Sequence, residues 1–196
     1  KYENMKISKI CVFCGSRTIG SVFYEKQTRI FAELLVNHRI ELVYGGTDMG
    51  LMETIASSMR TLGGSITGVV PRMLVNTDIQ STELTQLIIT ESMSERKERM
   101  IELSDAFVVL PGGAGTLDEL FEIWTNLQLG LHNKPIGLLN FAGYYDHLIA
   151  FIDNATKLGF IAAEHRSQLI ISQSPEELLN SFENMCNVNT NTPYES

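Results

Sequence analysis

Ala106-Phe107-Val108-Val109-Leu110-Pro111-Gly112-Gly113-Ala114-Gly115-Thr116-Leu117-Asp118-Glu119 is the stretch that decides the fold. Its opening apolar run reads as a short strand buried on both faces. The glycines that follow make a tight turn, and a helix is expected to open at Thr116. Working outward, the same passage from strand to glycine turn recurs twice. Cys14-Gly15-Ser16-Arg17-Thr18 closes an apolar run at 7–14, and Tyr44-Gly45-Gly46-Thr47-Asp48-Met49-Gly50 closes one at 40–44. Further strands are predicted at 65–70, 86–90, 135–139 and 168–171. Helices are predicted at 22–37, 50–62, 93–104, 116–129, 144–158 and 175–184. In the first of these, Phe23, Ile30, Phe31, Leu34 and Leu35 fall largely on one stripe. In the last, Ser174-Pro175-Glu176-Glu177 supplies an N-cap serine and a proline at the first position. Alternating β and α units predict an α/β, Rossmann-like, doubly wound domain with a mostly parallel sheet of about seven strands and helices on both faces. One domain spanning 5–186 is expected, with the polar stretch 187–196 as a disordered tail.

The composition narrows the partners. The 196 residues carry 15 Lys and Arg against 23 Asp and Glu, a net charge of −8, with 44% hydrophobic residues. That balance argues against a nucleic-acid partner held by phosphate charge and against a polybasic membrane surface. An anionic ligand then has to be held locally, by backbone N–H groups or a few placed cations. The opening Lys1-Tyr2-Glu3-Asn4-Met5-Lys6 has no apolar secretory core, and no run reaches the roughly 20 apolar residues of a membrane span. A soluble cytoplasmic protein is expected. Cys11 and Cys14 have the C-x-x-C spacing, but they lie on a predicted strand, where positions three apart face opposite ways. They read as buried small side chains and not as a redox or metal pair. The four histidines show no zinc-binding spacing.

If the strands are parallel, the three glycine turns share the carboxyl edge of the sheet, where open α/β folds bind ligands. The turn Gly112-Gly113-Ala114-Gly115-Thr116 lets an anion approach the backbone closely, at a helix N-terminus with orphan donors. It lacks the Gly-Lys-Ser/Thr of a nucleoside triphosphatase loop, and it does not spell the dinucleotide fingerprint, since Asp118 stands where the third glycine belongs. Thr116-Leu117-Asp118-Glu119 also fits a capping box, with Thr at the N-cap and Glu reaching back from N3. A simple cap, however, needs no glycine nest upstream. Ser94-Glu95-Arg96-Lys97-Glu98-Arg99-Met100 reads first as a solvated face with a Glu95–Arg99 pair. Because it follows a predicted strand, its start faces the same sheet edge, where Arg96 and Lys97 would bring positive charge to an anion.

Glu95-Arg96-Lys97 with Met100, followed by Pro111-Gly112-Gly113-Ala114-Gly115-Thr116-Leu117-Asp118-Glu119, resembles the Lonely Guy (LOG) family of cytokinin riboside 5′-monophosphate phosphoribohydrolases, often labelled lysine decarboxylases. Cys14-Gly15-Ser16, Val43-Tyr44-Gly45-Gly46, Gly50-Leu51-Met52, Lys134-Pro135 and Gly143-Tyr144-Tyr145-Asp146 extend the likeness over roughly 10–180. The resemblance implies a catalytic pair, Arg96 and Glu119. It implies nucleotide contacts from Lys97, Gly113, Gly115, Thr116 and Thr125, with Asp78 standing where a substrate-contacting Glu is usual. Gly112, Ala114, Asp118, Gly15, Ser16, Gly45 and Gly46 complete the candidate substrate-binding set. Arg17 stands where the family is often small. The implied reaction is hydrolysis of the N-glycosidic bond of a nucleoside 5′-monophosphate, with no cofactor or metal, in a homodimer or higher homo-oligomer. Glu119 would stabilise the ribosyl cation or deprotonate water, with Asp118 as its neighbour. The exposed apolar residues expected on helix 93–104 (Met93, Met100, Ile101, Leu103) point to the same assembly. A second hypothesis is a non-catalytic nucleotide or cofactor carrier resembling the molybdenum-cofactor carrier proteins. Retention of both Arg96 and Glu119 favours the hydrolase.

Overall fold

The computed structural model describes residues 7–18, 20–75 and 84–188. Asp78 and residues 189–196 lie outside the described residues. Seven strands form one sheet: β1 (Lys9–Phe13), β2 (Glu41–Tyr44), β3 (Ile66–Pro71), β4 (Gln86–Thr90), β5 (Ala106–Val109), β6 (Ile136–Leu139) and β7 (Leu169–Ser172). All pairings are parallel, in the order β4-β3-β2-β1-β5-β6-β7. Among the described residues, the α-helices are α1 (Val22–Asn37), α2 (Gly50–Thr61), α3 (Met93–Leu103), α4 (Ala114–Gln128), α5 (Asp146–Lys157), α6 (Ala163–Ser167) and α7 (Pro175–Val188). The chain winds outward from β1 to one edge, then crosses back to β5 and winds to the other. The order therefore reverses between β1 and β5, and a crevice opens at their carboxyl ends.

Alternation along the buried strands builds two cores. Ile10, Val12 and Cys14 face one side with Phe31 and Leu35 of α1, Ile55 and Met59 of α2, and Leu178 and Phe182 of α7. Cys11 and Phe13 face the other, with Met100 of α3, Leu120, Ile123 and Trp124 of α4, and Ile152 of α5. Helices therefore cover both faces, as the sequence predicts. The two thiols belong to opposite cores, and burial raises both their pKa values. They are inert packing groups.

Three helix boundaries differ from expectation by two residues or more, and one helix was not expected. Helix α4 begins at Ala114 with Gly113 as its N-cap, two residues before Thr116. Thr116 is therefore inside the first turn, and Glu119 is not at N3, so the capping box does not form there. At α3, by contrast, Ser92 is a side-chain N-cap: its Oγ accepts from the Glu95 N–H (3.1 Å), and Glu95 accepts from the Glu91 N–H (2.7 Å). The expected Glu95–Arg99 pair gives way to Arg99–Glu102 at 2.8 Å. Helix α5 starts two residues later than predicted, which leaves Tyr144 and Tyr145 in the turn before it. The short α6 carries no sequence signal strong enough to predict. At the C-terminus α7 continues to Val188, so the first residues of the expected tail are helical. Its predicted cap is present, with Ser174 Oγ accepting from the Glu177 N–H at 3.3 Å. Among the described residues, no helix is long and apolar enough to cross a membrane.

Candidate active site

The turns leaving β1, β2 and β5 meet at the reversal point. Gly15 donates its N–H to Pro111 O (3.0 Å), and its own carbonyl accepts from Leu51 at the start of α2 (3.0 Å). Together with α3 and α4 they enclose a cavity of about 530 Å³, a usual size for a small-molecule site. Of the candidate residues, Gly15, Ser16, Gly45, Arg96, Lys97, Gly112, Gly113, Ala114, Gly115, Thr116, Asp118 and Glu119 line it. Thr125 is exposed more than two turns along α4, outside the lining. Gly46 stands behind the wall with φ +74°, where a Cβ would fall 2.2 Å from Val70 Cγ2.

Arg96 and Glu119 form a buried pair, Nη1 to Oε1 at 3.1 Å, each only 6% exposed. Three contacts fix the guanidinium. Its Nε donates to Val69 O on β3 (3.1 Å), its Nη1 to Glu119, and its Nη2 lies against Gly45. A Cβ on residue 45 would sit 2.2 Å from Nη2, so the glycine makes room for the arginine. The helix that carries Arg96 is anchored at both ends: by the Ser92–Glu95 cap, and by Lys134 Nζ donating to Ile101 O at 2.6 Å. Burial pushes the Glu119 carboxyl above its ordinary value, and the Arg96 charge pulls part of that back. A buried carboxylate with a raised pKa, facing a cleft, is a candidate acid–base group.

Lys97 is not the bare cation the sequence suggested. Its Nζ contacts Glu122 and lies 3.1 Å from Asp118, and these carboxylates raise its pKa, Glu122 foremost. Arg96 is likewise matched by Glu119. The cavity cation with no hydrogen-bond or ion-pair partner among the described residues is Arg17, beyond the β1 turn. The main anion-attracting feature is the backbone. The N–H groups of Gly113, Ala114, Gly115 and Thr116 have no protein acceptor among the described residues, while the Gly113 carbonyl already takes the Leu117 N–H (3.1 Å). Gly112 is required by packing, because a Cβ there would lie 2.1 Å from Thr116 Oγ1. Gly113 and Gly115 are different: a Cβ on either would meet nothing within 4 Å. The fold does not demand glycine at these two positions, and both open onto the cavity.

The rest of the wall was not selected from sequence. Leu51, Met52, Leu74, Met93 and Tyr144 give it an apolar side. Leu51 and Met52 follow the second glycine turn, and Met93 sits within the cap of α3, so their proximity to that edge was the available signal. Glu122 was also missed. Its signal was the four-residue spacing from Asp118, which puts both carboxylates on one face of α4.

A cleft of this size at the reversal of a doubly wound sheet, with helix-start donors that have no acceptor among the described residues and a buried arginine–carboxylate pair, defines in class an α/β protein with a small-molecule site suited to an anion. Comparison with known proteins gives the family. The family described as "possible lysine decarboxylase" matches residues 52–182. The cytokinin riboside 5′-monophosphate phosphoribohydrolase LOG5 of Arabidopsis thaliana is 39% identical over 178 residues, covering 91% of this chain and 78% of that protein. LOG1 of the same plant is 41% identical, covering 91% and 84%. The probable rice (Oryza sativa subsp. japonica) enzyme LOGL1 is 42% identical, covering 91% and 80%. The chain belongs to the LOG family. Among solved structures, the molybdenum cofactor binding protein of Rippkaea orientalis superposes with a TM-score of 0.68 at 22% identity, covering 92% of this chain and 98% of that one. The molybdenum cofactor carrier protein of Chlamydomonas reinhardtii gives 0.68 at 19%, covering 93% and 99%. These two likenesses are of fold.

Proposed function

We propose that the protein is a hydrolase that cleaves the N-glycosidic bond of nucleoside 5′-monophosphates, cytokinin riboside 5′-monophosphate or AMP, to free base and ribose 5-phosphate. The observation that carries this is the buried Arg96–Glu119 pair beside four helix-start N–H groups that have no acceptor among the described residues. Those donors suit the 5′-phosphate, and the missing side chains at 113 and 115 let it approach the backbone. Anchoring the phosphate holds the ribose against Glu119, which converts binding into orientation. As the bond from C1′ to the base nitrogen breaks, positive charge grows on the ribose, and the Glu119 carboxylate stabilises it. Glu119 also takes a proton from the attacking water. The water oxygen ends on C1′, and the proton that Glu119 takes up is passed on to the departing base, which leaves the carboxylate ionised again. Arg96 holds the carboxylate in one geometry through its own bonds to Val69 and Glu119. The apolar wall of Leu51, Met52, Leu74 and Met93 suits a planar base.

A carrier would use the donors and the apolar wall, but it has no use for a buried charged pair, whose burial is costly. The hydrolase is therefore the better reading. The test is to incubate the pure protein with AMP, isopentenyladenosine monophosphate and adenosine, and to measure free base and ribose 5-phosphate. Release from the phosphorylated substrates and much slower release from adenosine is the expected result. Equal rates on AMP and adenosine would remove the phosphate anchor from the account.

We further propose a homodimer or higher homo-oligomer in the cytoplasm. On helix α3, Met100 is fully buried in its own core and Ile101 and Leu103 pack against that core, so Met93 is the exposed member of the apolar set that its sequence offered. What supports assembly is exposed apolar surface elsewhere, with Leu129, Leu131, Phe151, Leu158 and Phe160 each more than 60% exposed.

A further inference from the structure

We infer that Tyr144 is a positioning residue, whose hydroxyl sets the polarity of the glycine turn so that it presents only donors to the substrate's phosphate. This rests on the nucleotide reading above and adds a residue that acts through the backbone. The three carbonyls that lead from β5 into the turn are each tied by a different donor. Leu110 O accepts from the Tyr145 hydroxyl (2.7 Å), Pro111 O from the Gly15 N–H (3.0 Å), and Gly112 O from the Tyr144 hydroxyl (2.8 Å). The next four N–H groups, from Gly113 to Thr116, have no acceptor among the described residues.

The Gly112–Gly113 peptide is the joint between these two sets. In a trans peptide C=O and N–H point in opposite directions, so holding one aims the other. With glycine on both sides, little else resists rotation of that unit. A rotated peptide would turn the Gly113 N–H away and face the Gly112 oxygen toward a phosphate, replacing attraction with repulsion. The Tyr144 hydroxyl bond opposes this rotation and also occupies the Gly112 carbonyl.

The tyrosine is itself held. Asn140 accepts from the Tyr145 N–H (2.7 Å) and donates to Asp146 (2.7 Å), which fixes the turn between β6 and α5. The Tyr144 ring meets Tyr24 and Tyr145 edge to face, with centroids at 5.9 and 4.8 Å. Ring packing and hydroxyl are therefore separable, because phenylalanine keeps the first and loses the second.

The experiment compares wild type with Tyr144→Phe in steady-state turnover of AMP and in calorimetric binding of ribose 5-phosphate, with a thermal melt of each. The expected result is a rise of roughly five- to tenfold in KM and in the ribose 5-phosphate Kd, on the scale of one lost hydrogen bond. The variant's kcat should stay within about threefold, and its melting temperature should be close to wild type. A merely structural tyrosine would lower the melting temperature and leave KM and Kd alone, and that outcome overturns the assignment. So does a Tyr144→Phe protein that matches wild type in every readout. A wild-type protein that neither binds ribose 5-phosphate nor cleaves AMP overturns the nucleotide reading, and this assignment with it.

Discussion

The proposed catalytic role of Glu119 rests on surroundings that work against its charge. Burial raises its pKa and Arg96 opposes that shift. The reactive form is the carboxylate, so activity falls as pH drops through that raised pKa. The acid limb of kcat/KM is therefore expected above the ordinary carboxylate range. Replacing Arg96 with Gln removes the opposing charge, so the limb should move to still higher pH while the rate on the plateau falls. A limb that stays in place in Arg96→Gln would mean that another group controls it. Little of this was visible from residue spacing. Arg96 and Glu119 are 23 positions apart, and only the family resemblance paired them. The residue-by-residue reading of Glu119 as a helix cap was reasonable for Thr-Leu-Asp-Glu, but it failed because a glycine N-cap needs no side chain and the helix could begin earlier. The charge of Lys97 was misjudged for a related reason. The spacing of Asp118 and Glu122 puts them on one face of α4, but only the packing of α3 against that face shows that they meet Lys97.

Helix α4 shows how one element divides its glycines between folding and binding. Gly112 is held to glycine by Thr116, whereas Gly113 and Gly115 face open space. Gly115→Ala is then predicted to keep or raise the melting temperature, since Ala is favoured over Gly within a helix by up to about 1 kcal/mol. The same change should raise the KM for AMP by roughly tenfold or more, because the new methyl group occupies the phosphate's approach. Gly45→Ala should do the opposite first: it collides with Arg96, lowering stability and activity together. A thermal melt beside a KM for each variant checks both. Equal behaviour of the two variants would contradict the division. At this scale the sequence was informative. Every strand was placed, because short β-branched runs bounded by glycine leave few alternatives, and six helices were found from their apolar stripes. What it could not place was α6, too short for a stripe, and the residues that precede α5, where a turn held by Asn140 delays the helix.

The whole molecule accounts for the location of the site. Winding outward from β1 in two directions leaves the crevice between β1 and β5, and the three glycine turns converge there because all strands run parallel. That convergence was legible in the order of elements before any side chain was placed. Assembly was not, since of the α3 residues that suggested it Met100, Ile101 and Leu103 belong to the protein's own core and Met93 lines the cleft. Light scattering at micromolar concentration is expected to give at least twice the 21.9 kDa chain mass. A monomer mass would contradict the proposed assembly without touching the site.

The central claim, that this cleft breaks a glycosidic bond with Glu119, is tested most directly by Glu119→Gln. Gln keeps the size and can still accept a hydrogen bond from Arg96, but it carries no charge. Base release from AMP or isopentenyladenosine monophosphate is predicted to fall at least about a hundredfold. Binding of AMP should persist, because the donors at 113–116 are untouched, and the melting temperature should stay close to wild type. A Glu119→Gln protein that releases free base at near wild-type rate would contradict the account.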